Sequence, residues 1–558
     1  MIGYVCKYTP IEIFESMGIP TCRIEPDVTN FDQADAFMHP NICSFTKGVL
    51  EDVMAKDYEG IILTTCCDSI RRLYDVLKVQ FPDKFIYLLD VPRKVNEFSI
   101  GLYEKQIKDM LEVYTTYSNQ SYQEKQVYEY IMNPTKASDT KTSANSKDNA
   151  VNIGLMGARL SKGTVDLLQR SNINIIYNVT CTGLQRQYKL NSNRILYSYA
   201  DELLKQFPCM RMEDAKNRKE YVEKYRNQIN GIIYHTVKFC DNYSYEYAYF
   251  KDVMQLPILK IETDYTRQCA GQIKTRVEAF VESLEVSNHI ENRRKQKKQS
   301  GDVKMFVLGI DSGSTSTNAV ILNEKKEMVA HEVLRTGPKS GESAERILEQ
   351  ILEKANLKRE DIDTIVSTGY GRVSIPFADE NVTEISCHGK GANYLNPNVR
   401  TILDIGGQDS KVIKLNEAGE VVDFVMNDKC AAGTGRFLEM MAKTLELDIS
   451  ELGPISLNWK EDIDISSMCS VFAESEVISL IALNKEKGDI AHGLHKSIAA
   501  KSYSLMRRVG LKSGYMMTGG VAKNPGVVKA VEERIGEKLY ISEEPEIVGA
   551  LGAALFAF

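Results

Sequence analysis

The pattern of hydrophobic and polar positions predicts that strands and helices alternate along the first half of the chain. A short apolar run at residues 60–65 suits a buried strand, and a helical pattern at 70–77 follows it before the next apolar run at 85–89. The same order recurs when the run at 231–234 leads through a helical stretch to 257–261. Because strands that alternate with helices form parallel sheets, we predict two related α/β modules here.

Two polar stretches divide the chain, which at 558 residues is too long for one core. Residues 133–149 are rich in Ser, Thr, Lys, Asp and Asn without periodicity, which is typical of a linker. Residues 288–304 include a basic run and are interpreted as a second, solvated linker, with a functional basic patch as the alternative. The predicted modules are therefore 1–132, 150–287 and 305–558.

The last module opens with a strand, a turn of small residues and a second strand, which is a hairpin pattern. Asp311 ends the first strand, and the turn consists of Ser312, Gly313, Ser314 and Thr315. Exposed N–H groups in such a turn hold phosphate, and an aspartate at the strand end suits Mg²⁺ or its bound water. The chain has no GxxxxGK[ST] motif, which excludes a P-loop nucleotide site.

The same pattern recurs later in the module. Asp404 precedes Gly406 and Gly407, and a further strand follows at 412–415. A third small-residue turn, with Gly519, Gly520 and Asn524, comes after an apolar run and before a helix, where it can cradle a base and ribose. One glycine-rich turn is weak evidence, but three in this order predict a nucleotide site.

Cys430 and Cys469 each stand directly before a helical pattern. A helix N-terminus favours a thiolate and whatever the thiolate binds. Neither cysteine has a CxxC partner, and a four-iron cluster usually takes four thiolates. Two ligands per chain are explained if a two-fold dimer shares one cluster. The alternative is a pair of buried structural cysteines, which are common.

Cysteines in the first two modules also occupy positions typical of ligands. Cys67 and Cys240 are each followed by aspartate, just past the end of a predicted strand, where open α/β sheets bind ligands. Cys43 opens a separate short motif. For any one of these residues, a place in the core is the alternative interpretation.

Composition narrows the classes of function. A formal charge of −7 and a pI near 5.8 argue against nucleic acid as a partner. The start of the chain has no signal-peptide pattern, and the longest C-terminal apolar stretch, 547–558, is too short for a membrane span. We therefore expect a cytoplasmic protein without membrane contact, whose twelve cysteines are ligands or core residues rather than disulfides.

Residues 305–558 resemble the activator ATPases of 2-hydroxyacyl-CoA dehydratases and the ATPase subunits of benzoyl-CoA reductase. The motifs that carry the resemblance begin at Asp311 (DSGST), Thr368 (TGYGR, with Gly369), Asp404 (DIGGQDS), Cys430 (CAAGTGRF), Cys469 (CSVFAES) and Thr518 (TGGV). The resemblance implies a two-lobed ATPase fold of the actin, heat-shock and acetate and sugar kinase superfamily. It also implies a homodimer with one [4Fe-4S] cluster between Cys430 and Cys469 of both chains, and ATP-driven delivery of a low-potential electron.

Residues 1–287 resemble the iron–sulfur subunits of the same dehydratases and the related double-cubane-cluster proteins, which implies Rossmann-like subdomains. The motifs begin at Cys43 (CSF), Thr65 (TCCDSIRRLY), Leu89 (LDVPR), Lys238 (KFCD) and Thr275 (TRVEAF). The resemblance implies a second iron–sulfur cluster on Cys43, Cys67 and Cys240. Cys66 is an extra neighbour, and Cys209 is a further candidate ligand. The chain is thus interpreted as a fusion of electron donor and acceptor.

These features predict an ATP-hydrolysing electron-transfer protein. Asp311 and Asp404 would organise Mg²⁺ and the attacking water, and Gln408 would orient that water. The resemblance implies a dehydratase or reductase as partner and a ferredoxin- or flavodoxin-type electron donor. The alternatives are a small-molecule kinase on the same fold, a nucleotide-gated chaperone-like module, and a self-contained iron–sulfur reductase or acyl-CoA dehydratase.

Overall fold

The chain forms two compact units, Met1–Val277 and Glu278–Phe558. This computed structural model describes residues 1–132, 150–181, 183, 188–213, 216–254, 256–266, 270–296, 305–427, 431–465 and 470–558. Within this part of the chain, no helix is both long enough and apolar enough to cross a bilayer.

The N-terminal unit contains two four-stranded parallel sheets with the same strand order. The first sheet, ordered β2-β1-β3-β4, consists of β1 (Ile2–Tyr4), β2 (Thr21–Arg23), β3 (Gly60–Thr64) and β4 (Phe85–Leu89). The second sheet, ordered β6-β5-β7-β8, consists of β5 (Val151–Gly157), β6 (Ile173–Thr180), β7 (Gly231–Val237) and β8 (Ile258–Thr263). Every residue of β3 and β7 is buried, as in parallel sheets covered on both faces. The predicted parallel α/β architecture is confirmed.

Helices connect these strands. In the first module they are α1 (Ile11–Ser16), α2 (Asp32–Phe37), α3 (Ser44–Ala55), α4 (Asp68–Gln80), α5 (Glu97–Ser118) and α6 (Glu124–Met132). In the second they are α7 (Lys162–Arg170), α8 (Ile195–Lys205), α9 (Lys216–Lys224), α10 (Asp241–Val253) and α11 (Ala270–Gln296), with a 3₁₀ turn at Arg226–Gln228.

The two modules exchange packing residues, which explains why they form one compact unit. Tyr199 and Leu203 of α8, from the second module, are buried in the core that covers the first sheet. Conversely, Cys43 of the first module is buried in the core of the second sheet. The Arg159 guanidinium donates to the carbonyl oxygens of Ile24 (2.7 Å) and Val5 (2.5 Å). Each core is therefore completed by residues from the other module.

The C-terminal unit repeats one pattern in two sheets: three antiparallel strands followed by a strand parallel to the first. The first sheet, ordered β11-β10-β9-β12-β13, consists of β9 (Phe306–Ser312), β10 (Ser316–Leu322), β11 (Met328–Arg335), β12 (Ile362–Thr368) and β13 (Glu380–Asn381). The second, ordered β16-β15-β14-β17, consists of β14 (Thr401–Ile405), β15 (Ser410–Leu415), β16 (Val421–Asn427) and β17 (Tyr515–Thr518). This is the predicted two-lobed, actin-like architecture.

Helices pack around both sheets of this unit. They are α12 (Ser340–Ala355), α13 (Glu384–Leu395), α14 (Gly435–Thr444), α15 (Ile449–Ser456), α16 (Ser470–Ala482), α17 (Lys487–Val509), α18 (Pro525–Ile535) and α19 (Val548–Phe556). Three 3₁₀ turns lie at Arg359–Asp361, Arg372–Ser374 and Gly520–Lys523. The last helix, α19, returns to the first sheet and packs on β9 and α13.

The boundary between the units differs from the predicted one. Helix α11 extends to Gln296, so the first nine residues of the predicted 288–304 linker are helical, and the units divide at Val277 instead of after residue 287. Glu278 and Glu282 of α11 bond to Arg372 and Thr383, and these contacts explain why this part of the helix belongs to the C-terminal unit. The other predicted linker, 133–149, lies outside the described residues.

We expect Gly552→Ala to destabilise the C-terminal unit by about 2 kcal/mol, because overpacking a tight helix contact costs more than the gain in helix propensity. A Cβ atom at Gly552 of α19 would lie 1.8 Å from the Cys387 carbonyl oxygen of α13. Trp459, the single tryptophan, lies in this unit and reports its unfolding by fluorescence. Gly337→Ala is the control, since its nearest new contact is 3.5 Å, to Ser343 Oγ. Equal unfolding midpoints for both variants would contradict this account.

Candidate functional site

The two sheets of the C-terminal unit face a common cavity of about 550 Å³. Its wall includes most of the predicted nucleotide-site residues: Asp311, Gly313, Ser314, Thr315, Asp404, Gly406, Gly407, Gly519, Gly520 and Asn524. The three predicted turns, although far apart in sequence, thus meet at one place. Ser312 is buried behind the wall. Gln408 is exposed and does not line the cavity, so its predicted role in orienting water has no support from its position.

The two aspartate-headed turns have the same geometry. In the first, the Gly313 N–H donates to the Ser316 carbonyl oxygen at 3.0 Å, and in the second the Gly406 N–H donates to that of Asp409, also at 3.0 Å. Each glycine follows its aspartate by two positions. The turns are also in close contact, since a Cβ at Gly407 would lie 1.7 Å from Thr315 Oγ1. The site therefore carries one carboxylate and one tight turn from each lobe.

The third turn completes the wall by close backbone packing. Gly519 adopts a positive φ of 83°, and a Cβ there would lie 2.4 Å from the Ile405 carbonyl oxygen. The Asn524 side chain accepts from the N–H groups of Gly526 and Val527 and thereby caps α18. Asn524 thus positions the helix that follows the turn, in addition to lining the cavity.

A buried cluster of charges surrounds the two aspartates. The Lys411 ammonium lies 2.8 Å from Asp409 Oδ2, 3.2 Å from Asp404 Oδ2 and 3.4 Å from Glu384 Oε2. The His388 imidazole lies between the lobes, 3.7 Å from Asp404 Oδ1 and 3.9 Å from Asp311 Oδ2. All six side chains are buried, so each charge is set by the others more than by solvent.

This environment separates the pKa values of the two aspartates. Burial acts to raise the pKa of Asp404, but His388, Lys411 and a hydrogen bond from Thr518 lower it to about 2. Burial raises the pKa of Asp311, and His388 and Lys411 only partly oppose this. Burial alone would lower the pKa of Lys411, whereas the three carboxylates around it raise it well above its usual value. Asp404 is therefore ionised at neutral pH and Lys411 is charged.

Glu384, His388, Asp409 and Lys411 belong to this site but were not predicted from the sequence. The available signals were modest: Glu384 and His388 lie four residues apart on one face of α13, and Lys411 follows the second aspartate turn in a buried strand. Among the described residues, Ser312 Oγ and Glu384 Oε1 are buried without a hydrogen-bond partner. Unpaired buried polar atoms beside a phosphate-type turn fit a bound polar ligand.

The three cysteines predicted as ligands in the N-terminal unit share one position: each is the N-cap residue of a helix. Cys43 precedes α3, Cys67 precedes α4 and Cys240 precedes α10, and none of the thiols is used as a cap. A hydrogen bond with Cys240 lowers the pKa of Cys43 to about 7, while the same bond raises the pKa of Cys240. The structure therefore brings Cys43 and Cys240 into contact.

The other cysteines have different surroundings. Cys67 is hydrogen-bonded to its neighbour Cys66, which raises the pKa of Cys66. Cys209 packs against the core of the first sheet, and burial raises its pKa. Within the described part of the chain, no three His, Cys, Asp or Glu side chains converge as a ready single-ion site. The predictions for Cys430 and Cys469 lie outside the described residues.

Known proteins resemble this chain in two separate regions. Residues 308–557 match the BadF/BadG/BcrA/BcrD ATPase family, and residues 6–140 and 125–284 match the 2-hydroxyglutaryl-CoA dehydratase, D-component family. The 2-hydroxyisocaproyl-CoA dehydratase activator of Clostridioides difficile is 48% identical over 255 residues, which are 46% of this chain and 95% of that protein.

One further relative and one solved structure match about the same share of the chain. The (R)-2-hydroxyglutaryl-CoA dehydratase activating ATPase of Acidaminococcus fermentans is 46% identical over 257 residues, 46% of this chain and 98% of that protein. The solved structure of the Clostridium difficile 2-hydroxyisocaproyl-CoA dehydratase activator with bound ADPNP is 47% identical and covers 45% of this chain and 94% of its own, with a TM-score of 0.44. Since such relatives match over nearly their whole length, the chain belongs, through its C-terminal half, to the BadF/BadG/BcrA/BcrD ATPase family.

Proposed function

We propose that this protein hydrolyses MgATP in the cavity of its C-terminal unit and uses the energy to drive single electrons to low potential. The electron would pass from a [4Fe-4S] cluster shared by two copies of the chain to an iron–sulfur centre in the N-terminal half or in a partner. The observation that carries the proposal is the pair of equivalent turns, headed by Asp311 and Asp404, that face one cavity.

The cavity offers the groups that phosphoryl transfer requires. Backbone N–H groups of the small-residue turns hold phosphates, and Asp404, ionised because of its low pKa, is suited to bind Mg²⁺ or its water. Magnesium usually binds through one or two carboxylates together with substrate phosphates and water, a set that Asp311 and Asp404 match. Glu384, which lines the cavity and whose buried Oε1 has no hydrogen-bond partner, supports a polar ligand there. We therefore assign the main catalytic role to Asp404 and a secondary one to Asp311.

The N-cap cysteines fit an iron–sulfur cluster in the N-terminal unit. Three thiols lie at the starts of α3, α4 and α10, and a helix N-terminus is a position that favours an anionic ligand. Thiolates of a cluster surround several iron atoms, so they need not converge on one point as single-ion ligands do. Cys43, Cys67 and Cys240 would hold the group, and the cluster would supply a one-electron acceptor.

The family relationship and the ligand count support a shared cluster on Cys430 and Cys469. Two cysteines per chain make four ligands when a two-fold axis relates two chains. Driving one electron uphill by about 300 mV costs about 7 kcal/mol, which nucleotide hydrolysis can supply. Lobe movement around the cavity would transmit that energy to the helices that follow these cysteines.

The names of the relatives suggest the partner. Several relatives are activators of 2-hydroxyacyl-CoA dehydratases, and another is a component of the benzoyl-CoA reductase of Thauera aromatica. A dehydratase or reductase is thus the proposed electron acceptor, with a ferredoxin- or flavodoxin-type donor. The match of residues 6–284 to the dehydratase D-component family favours a second candidate, in which the chain is itself the complete reductase or dehydratase.

We expect Asp404→Asn to bind ATP but to hydrolyse it roughly 10²- to 10³-fold more slowly, because it removes one well-placed charge from the reacting centre. Steady-state phosphate release, with nucleotide binding measured separately, tests this. Asp423→Asn, a substitution on a strand outside the cavity wall, serves as the control. Turnover of Asp404→Asn at the wild-type rate would remove Asp404 from the mechanism.

The same cluster predicts a pH dependence of stability. Burial raises the pKa of Glu384 from its ordinary 4.5 to about 8. Between these values the unfolded chain ionises Glu384 while the folded protein keeps it protonated, so wild-type stability falls as pH rises. The folded pKa of Asp404 is lowered, so Asp404 loses its stabilising contribution only below its ordinary pKa of 3.8. Asp404 therefore does not change how stability depends on pH above that value.

Glu384→Gln should therefore become more stable relative to wild type as pH rises from about 4.5 to about 8. Denaturant unfolding followed by Trp459 fluorescence over this range measures the difference. A difference that stays constant, or that grows in favour of wild type, would mean that Glu384 is ionised throughout.

Iron content tests the electron-transfer part of the proposal. In anaerobically purified protein, Cys430→Ser should remove the shared cluster, and Cys43→Ser should remove the N-terminal one, because each substitution deletes a thiolate ligand. Iron, sulfide and electron paramagnetic resonance signals after reduction measure both losses. Cys22→Ser is the matched control, since Cys22 lies within β2 and heads no helix. If Cys43→Ser kept the wild-type iron content, the N-terminal half would be interpreted as an inert scaffold without a cluster.

A further inference from the structure

Helix α11 carries two carboxylates that bond to residues next to the nucleotide site. The helix begins at Ala270 in the N-terminal unit and continues into the C-terminal unit, where Glu278 and Glu282 lie one turn apart. The two side chains therefore share a face. Each of them bonds to a different element of the ATPase.

Glu278 forms an ion pair with the buried Arg372. The other guanidinium nitrogen of Arg372, Nη1, donates to the Gly369 carbonyl oxygen at 3.1 Å. Gly369 itself lies against the first aspartate, because a Cβ there would be 2.5 Å from Asp311 Oδ1. In the same turn, the Gly371 N–H donates to the Ser312 carbonyl oxygen at 3.0 Å. Glu278 thus holds the arginine that closes the turn behind Asp311.

Glu282 holds the start of α13. Its carboxylate accepts from the Thr383 N–H at 3.0 Å, from Thr383 Oγ1 at 2.5 Å and from Ser386 Oγ at 2.6 Å. The Thr383 side chain does not cap the helix, so Glu282 places a carboxylate where a helix N-terminus favours one. Helix α13 carries Glu384 and His388 into the charge cluster. The position of this helix therefore sets the contacts of His388 with both catalytic aspartates.

We propose that Glu278 and Glu282 are positioning residues for ATP hydrolysis, which act through Arg372 and through α13. This proposal rests on the proposed ATPase function. A helix that only tethered the two units would be served by apolar contacts such as those of the buried Phe280 and Val281. Two carboxylates directed at the Gly369 turn and at α13 instead connect α11 to the geometry around Asp311 and His388.

The connection works in both directions. If α11 stabilises the hydrolysis-competent arrangement, then nucleotide that stabilises this arrangement must also stabilise α11, because coupling free energies are reciprocal.

Steady-state ATP hydrolysis by the full-length Glu278→Ala and Glu282→Gln variants provides the first test. We expect kcat to fall about tenfold in each, with KM for ATP within about twofold of wild type, since imprecise positioning lowers the rate more than it weakens binding. Glu282→Gln keeps the shape of the side chain, which guards against a folding defect. Ser283→Ala is the control, because among the described residues Ser283 Oγ bonds within α11, to the Phe280 carbonyl oxygen. The kcat of Ser283→Ala should equal that of wild type.

Hydrogen–deuterium exchange provides a second readout that a purely structural role would not change. In wild type, a non-hydrolysable ATP analogue should slow exchange in residues 278–285 relative to ADP, and both glutamate variants should lose this difference. The proposal is overturned if kcat of folded Glu282→Gln equals that of wild type, or if exchange in wild-type α11 does not respond to nucleotide. Absence of ATP hydrolysis in wild type would instead overturn the proposed function itself.

Discussion

An ammonium group can be buried only where anions neutralise it, and the C-terminal unit is built around such a group at Lys411. The three carboxylates that surround it come from β14, from the turn before β15 and from α13. Asp404 and Asp409 lie closest to the ammonium, at 3.2 and 2.8 Å, and removing either would leave charge unpaired in a dry environment, at a cost of several kcal/mol. The cluster thus fixes the second lobe and the helix between the lobes relative to each other. The acidity of Asp404, on which the proposed chemistry depends, is a by-product of the same arrangement.

The two lobes share one arrangement of an aspartate and a turn. Each places an aspartate at the end of a strand and follows it with a tight hairpin turn. A single such turn offers a partial phosphate site, whereas two that line one cavity can contact a ligand from both sides. Glycine is required where they meet, because a side chain at Gly407 would occupy the space of Thr315. The symmetry of the fold therefore explains why a nucleotide site forms between lobes and not within one.

The sequence predicted local patterns well and long-range partnerships poorly. Both hairpins, the parallel sheets of the N-terminal unit and the convergence of three glycine-rich turns followed from periodicity and turn residues. Lys411 and Glu384 could not be predicted as partners, since periodicity does not reveal which charged residues a fold buries together. Similarly, the basic run near residue 295 suggested a linker, whereas α11 continues as a helix to Gln296, and its Glu278 and Glu282 bond within the C-terminal unit.

The exchange of packing residues between the two N-terminal modules has a consequence for how such a chain can arise. Tyr199 completes the core of the first sheet, and Cys43 completes that of the second. Neither module has a finished interior by itself, although each has its own four-stranded sheet. Gene rearrangements that transferred only one module would produce a protein with an open core, which cellular proteases would remove. The pair is therefore the smallest portion of this half that evolution could move intact next to an ATPase.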